Sequence, residues 1–178
     1  MALPKVVIVG RPNVGKSSIF NWLAGRRIAI VDDVAGVTRD RVGTLAHLGD
    51  DDNPRFYELI DTGGVGIVDR DDLSADVDRQ IQTAMNEASL ILFVVDIRDG
   101  LMPLDEEVAQ RLRYLRTPVI LVMNKADYPE IEERGGEFYK LGRGKPIAVS
   151  SQQNRNRKQL LALMDEMLPE ADPTKPAN

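Results

Sequence analysis

The sequence predicts an α/β fold, a six-stranded, mostly parallel sheet flanked by five helices. Three observations predict it. Short apolar runs alternate with stretches whose apolar residues recur at helical spacing, the pattern of strands joined by crossover helices. Two of the runs, residues 90–95 and 119–123, are apolar throughout, as strands buried on both faces are. A third, Val6-Val7-Ile8-Val9, leads into Gly10-Arg11-Pro12-Asn13-Val14-Gly15-Lys16-Ser17 and then a helical stretch from Ser18 to Ala24. Strand, G-x-x-x-x-G-K-S and helix is the order a phosphate-binding loop requires.

The first strand spans residues 5–9, and the first helix runs from about Gly15 to Ala24, with Gly25 as its stop. Residues 26–40 show no period and read as a long loop; loops of that length are usually functional. Residues 41–48 and 55–60 read as two strands. The acidic turn 49–54 between them predicts an antiparallel hairpin. Val77, Ile81, Ala84, Met85 and Ala88 mark the next helix, and residues 90–95 the strand after it. Leu104, Val108, Leu112 and Leu115 mark a third helix, stopped by Pro118, before the strand at 119–123. A short helix at 137–141 closed by Gly142 and a strand at 147–149 come next. Leu160, Leu161, Met164, Met167 and Leu168 form the stripe of a last helix, ended by Pro169. Residues 1–169 therefore read as one domain, and the polar, Pro-rich stretch 170–178 as a linker.

Composition narrows the chemistry. The 178 residues carry no cysteine, which excludes disulfides and thiolate metal sites. The longest apolar run is too short to span a bilayer, and no leader precedes the first strand, so a cytoplasmic protein without membrane association is expected. A net charge of -5 argues against wholesale attraction to nucleic acid. Basic clusters at 26–27, 143–145 and 155–158 read as solvated surface.

The phosphate loop has a backbone logic. Gly10 and Gly15 let the chain curl so that successive N–H groups converge as an anion nest, and the helix beginning there adds its unpaired N–H groups. Lys16 carries an ammonium to the β- and γ-phosphates, and the Ser17 hydroxyl is placed to ligate Mg²⁺. Asp61-Thr62-Gly63-Gly64 ends a strand. There a carboxylate can hold a Mg²⁺-bound water and the Gly64 N–H can meet a γ-phosphate. Thr38, in the long loop, is a candidate second hydroxyl on Mg²⁺. Asn124-Lys125-Ala126-Asp127 follows a buried strand directly. A carboxylate at Asp127 can accept from both N1–H and the exocyclic amine of guanine, a pairing adenine does not offer. Asn124 would tie this loop to the phosphate loop, and the Lys125 stem would lie over the base. Ser150-Ser151-Gln152, after the last strand, can offer a backbone N–H to the guanine oxygen. Asp96 reads as a turn residue, His47 as a surface residue and Trp22 as packing.

This order of motifs resembles the Era/EngA/MnmE-type P-loop GTPases, and within them the first GTPase domain of the tandem-domain ribosome-assembly members. The resemblance rests on residues 10–17, on Asp33-Val34-Ala35-Gly36-Val37-Thr38-Arg39-Asp40, on residues 61–65, on residues 124–127 and on Glu137-Phe138-Tyr139-Lys140-Leu141-Gly142. It runs from residue 4 to about residue 169. Val34 and Ala35 depart from the family's usual Thr-Pro, and Ser151 stands where Ala is usual. The resemblance implies a Ras-like G domain of the P-loop NTPase fold that binds GTP and GDP and hydrolyses GTP slowly. It implies loops 26–40 and 61–75 as switches, and Lys16, Thr38, Gly64 and Asn13 as the catalytic set. Nucleotide contacts are expected from Gly10 to Ser18, from Asp61 to Val65, from Asn124 to Asp127 and from Ser150 to Gln152. Ser17, Thr38 and Asp61 are the expected Mg²⁺ ligands, and Asn13 helps hold K⁺. Val65 occupies the position where the Ras branch has a water-orienting Gln. Arg39 and Arg41 flank the first switch as candidate contacts to RNA, a partner or the nucleotide. The implied role is large-ribosomal-subunit assembly by a monomeric domain of a longer protein. The alternatives are a GTP-gated docking module with negligible turnover or the G domain of a related Era/MnmE-type GTPase, and an ATPase has no use for Asp127.

Overall fold

Every residue of the strands Leu90–Asp96 and Val119–Asn124 is buried, and both strands lie inside the sheet with a neighbour on each side. The structure, a computed structural model, describes residues 2–25, 42–63, 73–142 and 145–170. The strands are β1 (Lys5–Val9), β2 (Val42–Leu48), β3 (Arg55–Asp61), β4 (Leu90–Asp96), β5 (Val119–Asn124) and β6 (Lys145–Ala148). The helices are α1 (Lys16–Ala24), α2 (Leu73–Glu87), α3 (Pro103–Leu112) and α4 (Arg157–Met167), with a 3₁₀ helix at Pro129–Leu141 as the fifth. The strand order is β2-β3-β1-β4-β5-β6. β2 and β3 form the expected antiparallel hairpin; all other pairs are parallel.

Strand alternation distributes the apolar residues between two cores. Val6, Ile8, Leu92, Val94, Ile120 and Val122 face α1 and α4, where Ile19, Leu23, Leu160 and Met164 meet them. Val7, Val9, Ile91, Phe93, Val95 and Leu121 face the other way. They pack on Val77 and Ala84 of α2, Val108 and Leu112 of α3 and Phe138 of the 3₁₀ helix. Side chains lock the outer helices in place. The Arg55 guanidinium donates to the Asp165 backbone carbonyl at 2.9 Å, and Arg157 donates to the Trp22 and Leu23 carbonyls at 3.2 and 3.4 Å. That last pair sets a cation at the C-terminal end of α1, where the helix dipole favours one.

Two expectations change. The fourth helical element begins at Pro129, well before residue 137, and is 3₁₀ in type. A Cβ on Gly135 would stand 2.8 Å from the Met123 sulfur, so the segment hugs β5 too closely for another residue there. The last strand is Lys145–Ala148, shifted two residues toward the N-terminus at its start and one at its end. Arg26, Arg27, Thr38, Arg39, Arg41, Gly64, Val65, Arg143 and the stretch 171–178 lie outside the described residues.

Candidate functional site

The parallel register brings the ends of four strands to one edge. Ile8 stands opposite Asp61, and Asp96 opposite Asn124. The phosphate loop, Asp61–Gly63 and the stretch 124–127 therefore open onto the carboxyl end of the sheet, where ligands of open α/β sheets bind.

Residues 10–15 turn from β1 into α1. A Cβ on Gly10 would lie 2.5 Å from the Val94 carbonyl oxygen, and one on Gly15 would lie 2.4 Å from Asn124 Nδ2. Gly15 and Asn13 also hold φ of 96° and 69°, a region glycine adopts freely and asparagine tolerates. Lys16 is buried and folds over the loop, donating to the Gly10 and Arg11 carbonyls at 2.7 and 2.8 Å. Burial pulls its pKa down to about 8, although Asp61 and Asp76 act in the opposite sense. Gly63 passes beneath it so closely that a Cβ would sit 2.1 Å from Lys16 Cε.

Ser17 Oγ donates to Asp61 Oδ2 at 3.0 Å, and Asp61 Oδ1 accepts the Gly63 N–H at 3.0 Å. The structure thus pairs two of the predicted Mg²⁺ ligands. A hydroxyl beside one carboxylate suits Mg²⁺, which keeps several waters and takes phosphate oxygens besides. Among the described residues no group of three or more carboxylates and histidines forms a cage of its own. Thr62 turns inward, its hydroxyl donating to the Ile8 carbonyl at 2.7 Å, so its side chain holds β3 to β1.

The second half of the site is stitched by Asn124. Its Nδ2 donates to the Val14 carbonyl at 3.0 Å, and its Oδ1 accepts the Ser151 N–H at 3.2 Å. One buried amide therefore joins the phosphate loop, the loop after β5 and the loop after β6. Lys125 donates to the Asn13 carbonyl at 2.7 Å and stands 2.9 Å from Asp96 Oδ2. Ala126 is buried and pinned by its N–H to the Val149 carbonyl at 2.9 Å. Asp127 Oδ1 accepts the Ser150 hydroxyl at 2.7 Å; the Arg98 guanidinium stands 4.0 Å from Oδ2. Ser150 Oγ in turn accepts the Gln153 N–H at 2.9 Å, which tightens the turn containing Ser151 and Gln152.

Three functional features escape a reading of local sequence. Asp96 is the expected turn residue, accepting the Arg98 and Asp99 N–H groups, and it also carries Lys125. Its place directly after an apolar run, as Asn124 follows the next one, was the available signal. Arg11 belongs to the phosphate loop by backbone alone. Its guanidinium turns away to Asp99 Oδ2 at 2.8 Å and Asp105 Oδ1 at 3.3 Å. Gln80, on α2, accepts the Gly10 N–H at 2.9 Å, and no motif flags it.

Comparison with known proteins agrees with this geometry. Residues 5–125 match a family model described as 50S ribosome-binding GTPase. GTPase Der of Rhodopirellula baltica is 57% identical over 172 residues, 97% of this chain and 37% of that protein. GTPase Der of Halothermothrix orenii is 49% identical over 174 residues, 97% of this chain and 39% of that one. The chain thus spans less than half the length of these relatives. Among solved structures, an Aquifex aeolicus Era variant bound to GDP and AlF₄⁻ superposes with a TM-score of 0.75 at 31% identity, over 99% of this chain and 60% of that one. Era in complex with MgGDPNP and a 16S ribosomal RNA fragment gives 0.73 at 31% identity, over the same shares of the two chains.

Proposed function

The chain belongs to the 50S ribosome-binding GTPase family, and from that premise we propose that it is a G domain that hydrolyses GTP slowly to GDP and phosphate. The observation that carries the reading is the Asn124 bridge, which sets Asp127 and the phosphate loop in one rigid frame. Asp127 then selects guanine, Lys125 lies along the base, and the turn at Ser150, Ser151 and Gln152 offers N–H to the guanine oxygen. Lys16 exchanges the Gly10 and Arg11 carbonyls for the β- and γ-phosphates, which are stronger partners for an ammonium. Ser17 and Asp61 would hold Mg²⁺, with Thr38 joining them from the first switch. Mg²⁺ supplies positive charge where the β- and γ-phosphate oxygens gather negative charge. Gly64 donates its N–H to the γ-phosphate, and residues 26–40 and 61–75 order around it.

Val65 can neither donate to nor accept from the attacking water. Backbone groups and Thr38 would take over that work, and Asn13 would help hold a K⁺ ion that supplies positive charge at the transferring phosphoryl. Val65 supports a second reading, a GTP-gated docking module whose turnover is negligible until a partner arrives.

The domain occupies residues 1–169, with 170–178 as a linker to the next domain of a longer protein. Its setting is the cytoplasm and its partner the large ribosomal subunit, approached by the full-length protein; the domain itself is monomeric. The family's description supports the ribosomal part. No described helix is long and apolar enough to cross a membrane.

The test is base choice. Titrating GTP, ATP and xanthosine triphosphate against wild type and Asp127→Asn should show GTP preferred by the first and xanthosine triphosphate gained by the second. The carbonyl that replaces the amine of guanine needs a donor, which asparagine has. Unchanged GTP preference in the variant would sink the assignment.

A further inference from the structure

α2 carries two polar side chains on its buried face. Asp76 and Gln80 lie one turn apart, four residues in sequence, beside the core residues Val77 and Ala84. Buried amides and carboxylates are costly unless satisfied, and both are. Gln80 Nε2 donates to Asp76 Oδ2 at 2.9 Å, and Asp76 Oδ1 takes the Arg79 guanidinium. With its nitrogen committed to a carboxylate, the amide presents its oxygen outward. That oxygen accepts the Gly10 N–H at 2.9 Å.

Gly10, the residue that opens the phosphate loop, is thereby held on three sides. Its N–H belongs to Gln80 and its carbonyl to Lys16, while β4 crowds the Gly10 Cα so that a Cβ would meet the Val94 oxygen at 2.5 Å. When Lys16 turns to a phosphate, it releases the carbonyl, and Gln80 and β4 remain. α2 is also the first described helix after Asp61 and Gly63.

We propose that Gln80 is a positioning residue: through the Gly10 N–H it fixes the mouth of the phosphate loop to α2, so that the loop's aim at the phosphates depends on where α2 sits. The inference rests on the GTPase reading given above. Gln80 touches no reacting atom; it acts through Gly10.

The test uses two variants and two readouts. Gln80→Met keeps length and apolar packing but leaves the Gly10 N–H without its acceptor. Gln80→Glu is isosteric, yet once ionised it cannot donate to Asp76 and it repels it. Protonated, the glutamic acid donates its O–H to Asp76 and accepts Gly10 through its carbonyl, as the amide does. A carboxyl beside Asp76 titrates high, so protonation is within reach of ordinary buffers. The other charges near it are Arg79 on α2 and Lys16 across the loop, with Asp61 and Arg11 around Lys16. Lys5 on β1 and Arg111 on α3 are engaged farther along α2 with Glu87 and Asp78.

Amide exchange at Gly10, followed without nucleotide, should quicken in Gln80→Met, and GTP turnover should fall on the order of tenfold, the worth of one buried N–H left unsatisfied. Gln80→Glu should resemble Gln80→Met at a pH of about 8 and return to within roughly twofold of wild type near pH 6, as the added carboxyl protonates. A residue that merely fills space gives no such rescue. Wild-type exchange and turnover in Gln80→Met, or a variant glutamate whose deficit ignores pH, would overturn the proposal. If Gln80→Met fails to fold, the pH series of Gln80→Glu decides. If wild type itself turns over no GTP, the GTPase reading fails instead, and Gly10 exchange still judges Gln80.

Discussion

The Lys125 ammonium lies 2.9 Å from the Asp96 carboxylate, two side chains projected from the ends of neighbouring strands. Asp96 is buried, so its charge is poorly screened and Lys125 is held firmly against the Asn13 carbonyl. Asp96→Asn keeps an acceptor for the Arg98 and Asp99 N–H groups but removes the charge. GDP affinity should drop by roughly fivefold to tenfold, the scale of one charge-assisted hydrogen bond at a partly exposed cation. The melting temperature without nucleotide should move little. Titration with a fluorescent GDP analogue checks the first point; an unchanged affinity would show that Lys125 finds its place without Asp96.

Arg11 is predicted to matter for stability. Its guanidinium is nearly buried and sits between Asp99, whose carboxyl it holds below the usual range through their hydrogen bond, and Asp105, which is fully buried. The contact with Asp105 is a charge contact of poor hydrogen-bond alignment. Burial raises the Asp105 pKa in spite of the Met102 N–H and Arg11. Arg11→Met strands that carboxylate, and losses on breaking a buried pair run to about 3–5 kcal/mol. The pH dependence has a definite sign. A carboxyl whose folded pKa lies above its unfolded value contributes stability below the unfolded value and loses it as pH rises through the folded one. Removing Arg11 raises the folded value further, so the variant's deficit should shrink on acidification from neutral pH. Asp105→Asn, which keeps the acceptor for Met102, should recover much of the loss. Denaturant melts of the single and double variants at neutral and mildly acidic pH measure both effects.

Lys16 is predicted to show the opposite balance, dispensable for the fold and required for binding. Its ammonium is desolvated, and its pKa is lowered from 10.5 to about 8. Between those two values the unfolded chain binds more protons than the folded one, so this group makes stability rise with pH across that window. Below it the full cost of burying the charge is present. Lys16→Met should therefore melt at an equal or higher temperature than wild type near pH 7 without nucleotide, while losing GTP and GDP affinity. Wild-type affinity should weaken above pH 8 as Lys16 discharges, and the variant's residual affinity should not. A variant that unfolds at a much lower temperature would mean that Lys16 holds the loop together.

How legible each part was depends on the distance between partners. The phosphate loop and the Asn124–Asp127 stretch each pack their chemistry into a few consecutive residues beside a buried strand, so spacing alone suffices. The apolar runs 90–95 and 119–123 were equally plain, because burial on both faces leaves no polar position within them. Arg11 and Asp99 are 88 residues apart, and Gly10 and Gln80 are 70 apart. Nothing local tells Arg11 from a solvated loop arginine, or Gln80 from a surface helix residue. The 3₁₀ helix was hidden because Gly135 and Gly136 weaken a helical pattern, and the fit of Gly135 beneath Met123 is a tertiary fact.

The potassium response of turnover is predicted to depend on Asn13. This residue is exposed at the turn of the phosphate loop, its carbonyl taken by Lys125 and its backbone in the left-handed region at φ 69°. Among the described residues nothing takes its side-chain oxygen, which leaves that oxygen for a monovalent cation. Val65 offers the attacking water nothing, so positive charge at the transferring phosphoryl has more to contribute. GTP turnover should rise with K⁺ at constant ionic strength and hardly respond to Na⁺, which is too small to bridge phosphate, Asn13 and switch carbonyls together. A full arginine finger is worth ~10³–10⁵ in rate, and the ion should supply a part of that. The backbone decides which variant is clean. Alanine at φ 69° would be strained, confusing a lost ligand with a distorted loop; glycine is at ease there. Asn13→Gly should abolish the K⁺ response yet keep most GTP affinity, because the phosphates are held by backbone N–H groups and Lys16. Equal rates in the two salts for wild type, or an undiminished K⁺ effect in Asn13→Gly, would refute the assignment.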